Sequence, residues 1–181
     1  EDGIRDLVRS RGLGDVYKRQ LLGGYMSYGV AIKVKEGLVF ASDSRTNAGL
    51  DNVNTYSKMF TYNVGDRAFV ILTAGNLATS QAVYHQLEKD LNAPDPEINL
   101  NLCEDLEAVA AYIGQLSVAS SNQSLEVQSQ SSLMGSNFIL GGQIKNQDPN
   151  ILMIYPEGNY IYASSERPFL QIGETKYGKP I

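Results

Sequence analysis

Ser27 and Asp43 are the first residues whose positions suggest chemistry. Ser27 directly follows Met26 and opens an alternating apolar run that predicts a β-strand, and Asp43 ends a second such run. We therefore expect both polar groups at one end of a sheet. If Ser27 becomes the amino terminus, its α-amine, with an ordinary pKa of roughly 7.7–8.0, can accept the proton of its own hydroxyl. The pattern predicts a nucleophile that needs no histidine.

Composition narrows the class of protein. The chain has 181 residues, of which 43% are hydrophobic, and this suits a single domain with a packed core. The net charge of −5 argues against nucleic acid or an anionic membrane as a main partner. No apolar run approaches the roughly 18 residues that a membrane-spanning helix needs. We expect a cytoplasmic protein without a membrane anchor.

The single cysteine, Cys103, limits the covalent and metal chemistry that is open to the chain. One cysteine excludes both an internal disulfide and a metal site of the CxxC type. A reducing, cytoplasmic setting is the simplest fit. We expect no metal and no cofactor, a buried thiol at Cys103, and a surface position on a helix for His85.

Residues 1–25 differ from the rest of the chain. They contain five of the fifteen basic residues and several glycines, with little periodicity. They also lack the apolar core of a secretory signal. Residues 9–20 (RSRGLGDVYKRQ) resemble translated adapter sequence. We therefore expect a non-native leader over 1–25, with a disordered propeptide as the alternative, and a folded domain over 26–181.

The remaining pattern predicts a layered α+β fold. Alternating residues predict one strand that begins at Ser27 and a returning strand over 38–42. A polar loop is expected over 46–57, followed by a second hairpin over 58–62 and 68–74. Three- and four-residue spacings predict helices over 77–91 and 102–118, the first ended by Pro94 and Pro96. A Ser/Gln-rich segment, 119–132, is expected to be mobile or covered by a partner. Three more strands are expected over 137–142, 150–155 and 160–163. Two sheets with two helices between groups of strands indicate stacked layers.

Four words of the sequence carry a family resemblance: residues 27–31 (SYGVA), 40–49 (FASDSRTNAG), 72–79 (LTAGNLAT) and 170–178 (LQIGETKYG). Together they resemble the bacterial proteasome-type peptidases of the Anbu group. The resemblance implies the four-layer αββα sandwich of the N-terminal-nucleophile hydrolases, truncated here at the C-terminus because relatives continue past the equivalent of Ile181. It also implies self-association into a ring or helical stack, with a peptide or unfolded protein as substrate.

The resemblance assigns site residues by position. Ser27 matches the nucleophile, although many relatives have threonine there, and Asp43 matches the aspartate that orients a lysine, which is Lys58 here. Gly75 matches the backbone donor of the oxyanion hole. The substrate-binding strand edge corresponds to Thr46 and Asn47. These assignments imply a threonine/serine-type endopeptidase.

Each assigned residue also has an ordinary structural interpretation. Taken alone, Ser27 is a common type of strand start, Asp43 a turn acid, Lys58 a solvated charge and Gly75 a turn glycine. Two other function classes therefore stay open: a catalytically silent ring subunit, and a module that captures extended peptides on a sheet edge.

Overall fold

The computed structural model of the chain describes residues 27–47, 53–127 and 135–173. The expected leader, residue 26, residues 128–132 of the Ser/Gln-rich segment and residues 174–178 of the last family word lie outside these ranges. The described residues form ten strands and two long helices: β1 Tyr28–Val34, β2 Gly37–Ser42, β3 Arg45–Asn47, β4 Val53–Thr55, β5 Met59–Val64, β6 Arg67–Gly75, α1 Leu77–Leu91, α2 Leu106–Val127, β7 Ser136–Ile144, β8 Asn150–Ile154, β9 Tyr160–Tyr162 and β10 Phe169–Gly173.

Two antiparallel sheets carry the fold. Sheet 1 has three strands in the order β10-β1-β2, and sheet 2 has five in the order β5-β6-β7-β8-β9. Strands β3 and β4 form a separate two-stranded sheet. In sheet 1, Tyr28 pairs with Gly173 and Gly29 pairs with Ser42. The start of β1, the end of β2 and the end of β10 therefore lie side by side.

Sheet 2 is covered on both faces. The inter-sheet core lies between the two sheets, where Leu72 and Ile139 of sheet 2 meet Ala31 and Leu170 of sheet 1. A larger core lies between sheet 2 and the helices, where Phe69 and Phe138 are fully or almost fully buried. The described residues therefore build three layers: sheet 1, sheet 2 and the pair of helices. The mixed α and β layering expected from the sequence is confirmed at this level.

The outer face of sheet 1 is apolar. Ile32, Val34 and Val39 are 36%, 41% and 51% exposed. Their chain neighbour Ala31, which points the other way because side chains alternate along a strand, is fully buried. The small residues Gly29 and Ala31 of β1 therefore face sheet 2, while Ile32 and Val34 face outward.

The two helices begin at side-chain caps. Asn76 caps α1, because its side-chain oxygen accepts the backbone N–H of Thr79 at 3.1 Å. Asp105 plays the same part for α2 and accepts from the N–H of Ala108 at 2.7 Å. The predicted bounds of α1 are confirmed. The prediction of 102–118 for α2 was wrong at both ends.

The late start of α2 has a local cause. Asn99 accepts the backbone N–H groups of Asn101 and Leu102, both at 2.9 Å, and so holds this segment in a turn. Past residue 118, Ser120 donates to the Leu116 carbonyl at 2.8 Å, and the helix continues to Val127. The polar composition after residue 118 thus concealed a helix.

Two further predictions were incomplete. The region 46–57 was expected to be a loop, but Arg45–Asn47 pairs with Val53–Thr55. Phe169–Gly173 was not predicted as a strand and is the edge strand β10. Both depend on pairing with a partner strand, which short local patterns do not reveal. Among the described residues, neither the length nor the hydropathy of any helix suits a membrane span.

Candidate functional site

Ser27 lies at the entrance to β1 and is only 6% exposed. The next residue, Tyr28, donates its backbone N–H to Asp43 Oδ1 at 2.8 Å. Asp43 in turn donates its own N–H to the Tyr28 carbonyl at 3.0 Å. The aspartate is therefore held against the backbone immediately after Ser27, at the end of β2.

The second carboxylate oxygen of Asp43 holds Lys58. The Lys58 Nζ lies 2.7 Å from Asp43 Oδ2, with the lysine side chain 6% exposed and the aspartate 29% exposed. Such a short, charge-assisted contact, with the ammonium largely removed from water, fixes the position of the cation. Asp43 thus links the buried Lys58 ammonium to the backbone N–H of the residue after Ser27.

Gly75 is brought to the same end of the molecule by β6. The N–H of Thr73, two residues earlier, donates to the Lys58 carbonyl at 3.0 Å. Gly75 has φ +125°, and a Cβ there would lie 2.7 Å from the Gly135 carbonyl oxygen. Only glycine fits this backbone conformation and this close approach. Helix α1 begins directly afterwards.

The predicted substrate-binding residues lie in β3. Thr46 pairs with Asn54, and Asn47 pairs with Val53. Within the described ranges, β3 has a paired strand on one side only, since its sheet contains just β3 and β4. An unpaired strand edge offers N–H and C=O groups to an extended peptide.

Gly173 is a site neighbour that the residue-by-residue assignment missed, although it lies inside the last family word. It has φ +97°, and a Cβ on Gly173 would overlap the carbonyl oxygen of Ser27. The bare backbone of Gly173 is therefore packed directly on the backbone of Ser27. Its place at the end of an unpredicted strand explains why sequence spacing did not find it.

Gly173→Ala is expected to displace Ser27 and to lower peptide turnover at least tenfold. The positive φ costs about 1–3 kcal/mol for a residue with a Cβ, and the overlap with the Ser27 carbonyl adds a local displacement. Gly37→Ala is the matched control, because Gly37 has φ +150° but a Cβ there would meet nothing within 4 Å. Turnover and melting temperature are measured for both. Equal turnover in the two variants contradicts the role of Gly173.

Cys103 is a buried thiol and His85 a surface residue, as expected from the sequence. Cys103 is 4% exposed, its thiol donates to the Asn99 carbonyl at 3.3 Å, and burial raises its pKa above the ordinary value. A buried thiol of raised pKa is a poor nucleophile. His85 is exposed on α1. Within the described ranges, no group of three or more His, Cys, Asp or Glu side chains could hold a metal ion.

A cleft among the described residues lies away from these groups. It has a volume of about 530 Å³ and is lined by residues of β8, β9 and β10, and by the segment between the last two strands. It contains none of the predicted site residues. The candidate site is instead the sheet end where Asp43 and Lys58 meet the backbone next to Ser27, with Gly75 two residues beyond Thr73, whose N–H binds the Lys58 carbonyl.

Similar solved structures include the following three. Anbu (ancestral beta-subunit) from Yersinia bercovieri is 39% identical, with a TM-score of 0.76 over 84% of this chain and 63% of that one. Anbu from Hyphomicrobium sp. strain MC1 is 42% identical, with a TM-score of 0.72 over 85% and 64%. The helical assembly of the Anbu complex from Pseudomonas aeruginosa has 39% identity and a TM-score of 0.76 over 83% and 62%.

The resemblance that the sequence words indicate is therefore confirmed by structure. The chain covers less than two thirds of the length of each of these three Anbu chains. Comparison with protein-family models and comparison with curated proteins both give no match.

Proposed function

Since this chain is related to Anbu over most of its length, we propose that it is a subunit of a self-assembling, proteasome-type peptidase. Ser27 is its nucleophile once it forms the amino terminus of the chain. One observation carries the proposal: the Asp43 carboxylate joins the buried Lys58 ammonium, at 2.7 Å, to the Tyr28 N–H, at 2.8 Å. A cation is thereby fixed close to the residue that would react.

The cation sets the protonation of the nucleophile. A positive charge nearby disfavours a second one, so the Lys58 ammonium keeps the Ser27 α-amine neutral and able to accept a proton. The same charge stabilises the Ser27 oxygen as negative charge develops on it. Asp43 keeps the ammonium in place and balances its charge.

The reaction then proceeds in two halves. The Ser27 hydroxyl oxygen attacks the peptide carbonyl carbon while its proton moves to the α-amine, and the carbonyl π electrons move to oxygen. The amine returns the proton to the leaving nitrogen as the C–N bond breaks, which leaves an ester on Ser27. Water, activated by the same amine, attacks this ester and releases the acid product.

Gly75 and β3 complete the site. The Gly75 N–H is the proposed donor to the oxyanion, a role in which losing one donor typically costs about 2.7–4 kcal/mol. Thr46 and Asn47 lie on the strand edge that would pair with the substrate backbone. This arrangement favours an extended, unfolded peptide over a folded one.

Assembly is the second part of the proposal. The outward-facing Ile32, Val34 and Val39 support a further helical layer over sheet 1, which would complete the αββα sandwich. The helical assembly reported for Pseudomonas aeruginosa Anbu supports self-association of this chain into a ring or stack. We place α1 and the segment after residue 118 near the contacts between subunits. A compartment would restrict the site to unfolded chains.

Turnover across sedimentation fractions tests this function. The protein, beginning at Ser27, is fractionated by size, and each fraction is assayed with a small fluorogenic peptide. Hydrolysis that follows the oligomer fractions is expected. Intact oligomers without turnover would indicate a silent ring subunit, and peptide retained without cleavage would indicate a binding module. Sedimentation as monomer only would remove the compartment.

A further inference from the structure

Three buried hydroxyl groups form a cluster beneath the end of β6. Thr73, Ser80 and Ser136 are 5%, 1% and 0% exposed, and we call them the hydroxyl cluster. Thr73 Oγ1 lies 2.6 Å from Ser80 Oγ, and Ser80 Oγ lies 3.1 Å from Ser136 Oγ. They come from β6, α1 and β7, so the cluster ties three elements together.

The cluster ends on one backbone carbonyl. Ser136 Oγ donates to the Asn76 oxygen at 2.8 Å, and Ser80 reaches the same oxygen with its N–H at 3.1 Å and its hydroxyl at 3.0 Å. A chain in which Thr73 donates to Ser80, Ser80 to Ser136 and Ser136 to Asn76 uses each hydroxyl proton once. Hydrogen bonds aligned in this way reinforce one another.

The fixed carbonyl belongs to the residue directly after Gly75. The N–H of Asn76 is held as well, because it donates to the Gly135 carbonyl at 3.4 Å. Gly75 pairs in register with Ser136, the last member of the cluster. Both peptide groups that follow Gly75 are therefore held: Gly135 binds the N–H of Asn76, and the hydroxyl cluster binds its C=O. Gly75 has no side chain of its own that could do this.

We propose that the hydroxyl cluster positions the Gly75 N–H, with Ser136 and Ser80 as positioning residues for the oxyanion donor. The inference rests on the proposed function. An oxyanion donor is effective when it is aimed before the reaction, in a site where it does not have to reorganise. Removing one hydroxyl from the cluster leaves the Asn76 carbonyl with fewer donors and holds this backbone less firmly, so the donor is aimed less accurately although Gly75 itself is unchanged.

Ser136→Ala tests the inference through two ligands. A peptide aldehyde reacts with Ser27: its carbonyl carbon bonds to the serine oxygen, the C=O π electrons move to oxygen, and the serine proton moves to the α-amine. The negatively charged oxygen of this adduct needs the Gly75 N–H as its hydrogen-bond donor. The matching peptide alcohol cannot form an adduct and reports ordinary binding. We expect kcat and the affinity for the aldehyde to fall together by about tenfold or more. This loss is smaller than the roughly 10²–10³-fold loss of kcat that follows removal of an oxyanion donor. KM and the affinity for the alcohol should stay within twofold of their original values.

Ser117→Ala is the matched control. Ser117 is as fully buried as Ser136, but it lies in α2, and its hydroxyl has no hydrogen-bond partner among the described residues. Its removal is expected to change neither kcat nor aldehyde affinity. Ser80→Ala serves as a second test variant, so the inference stays falsifiable if Ser136→Ala fails to fold.

The outcomes separate the inference from the proposed function. Normal kcat and aldehyde affinity in folded Ser136→Ala and Ser80→Ala would overturn the positioning role while leaving the peptidase intact. An unsubstituted protein that neither cleaves peptide nor forms the aldehyde adduct would overturn both. A fall in stability with unchanged kcat would show that the cluster serves folding alone.

Discussion

Lys58→Ala is expected to lower peptide turnover by about 100-fold to 10,000-fold, the range that general acid–base catalysis contributes. The substitution removes the cation that keeps the Ser27 amine neutral. The fold should survive, because Asp43 is 29% exposed and keeps its bond to the Tyr28 N–H after the ammonium is lost. Water can therefore solvate the carboxylate. Turnover of a fluorogenic peptide is measured beside circular dichroism and sedimentation.

Two further variants sharpen this test. Lys58→Arg should fail nearly as badly, because the planar guanidinium keeps the charge but does not fit a compact ammonium site. Asp43→Asn should be intermediate to severe, because an amide can still accept a bond from Lys58 but no longer balances its charge. Lys145→Ala is the control, since Lys145 is exposed at the opposite end of sheet 2. Near-normal turnover in Lys58→Ala would show that the Ser27 amine does not need the Lys58 cation.

A leader fused directly before Ser27 is expected to abolish turnover until it is cut away. With any residue attached, the Ser27 nitrogen is an amide, which does not accept a proton, and the nucleophile loses its base. Cleavage that exposes Ser27 should restore activity at least about 100-fold. The fluorogenic assay is run on one preparation before and after cleavage.

A Ser27→Ala chain with the same leader is the control for this experiment. It should stay inactive after cleavage, because its amine is present but its hydroxyl is gone. Full activity with the leader still attached would be incompatible with an amine base, whatever the outcome at Lys58.

The sequence predicted the helices and sheets that have strong local patterns. Helix α1 combines a capping Asn76 with a clear apolar stripe, and its predicted bounds match the structure. Strand β10 was missed because its five residues form a strand by pairing with β1, and a local sequence pattern does not reveal such a partner. The end of α2 was missed because serine and asparagine, which are frequent just after residue 118, favour a helix only weakly.

The residues of the candidate site likewise fall into those that the sequence identified and those that it did not. Ser27 and Asp43 are visible as polar residues at the ends of apolar runs, and the family resemblance supplied Lys58 and Gly75. Gly173 and the hydroxyl cluster could not be predicted, because their contacts join residues far apart in the chain, Ser27 with Gly173 and Asn76 with Ser136. Only the three-dimensional register brings such groups together. Serine and threonine are too common in this chain for their positions to single them out.

The identity of the residue that reacts tests the central claim most directly. The protein, beginning at Ser27, is treated with a serine-reactive inhibitor, digested, and mapped by mass spectrometry, beside the same protein with its leader intact. We expect one label, on Ser27, only in the chain with the free amine. A label on another residue, equal labelling of Ser27 with the leader in place, or no label on a fully assembled protein would contradict the claim that Ser27 is an N-terminal nucleophile.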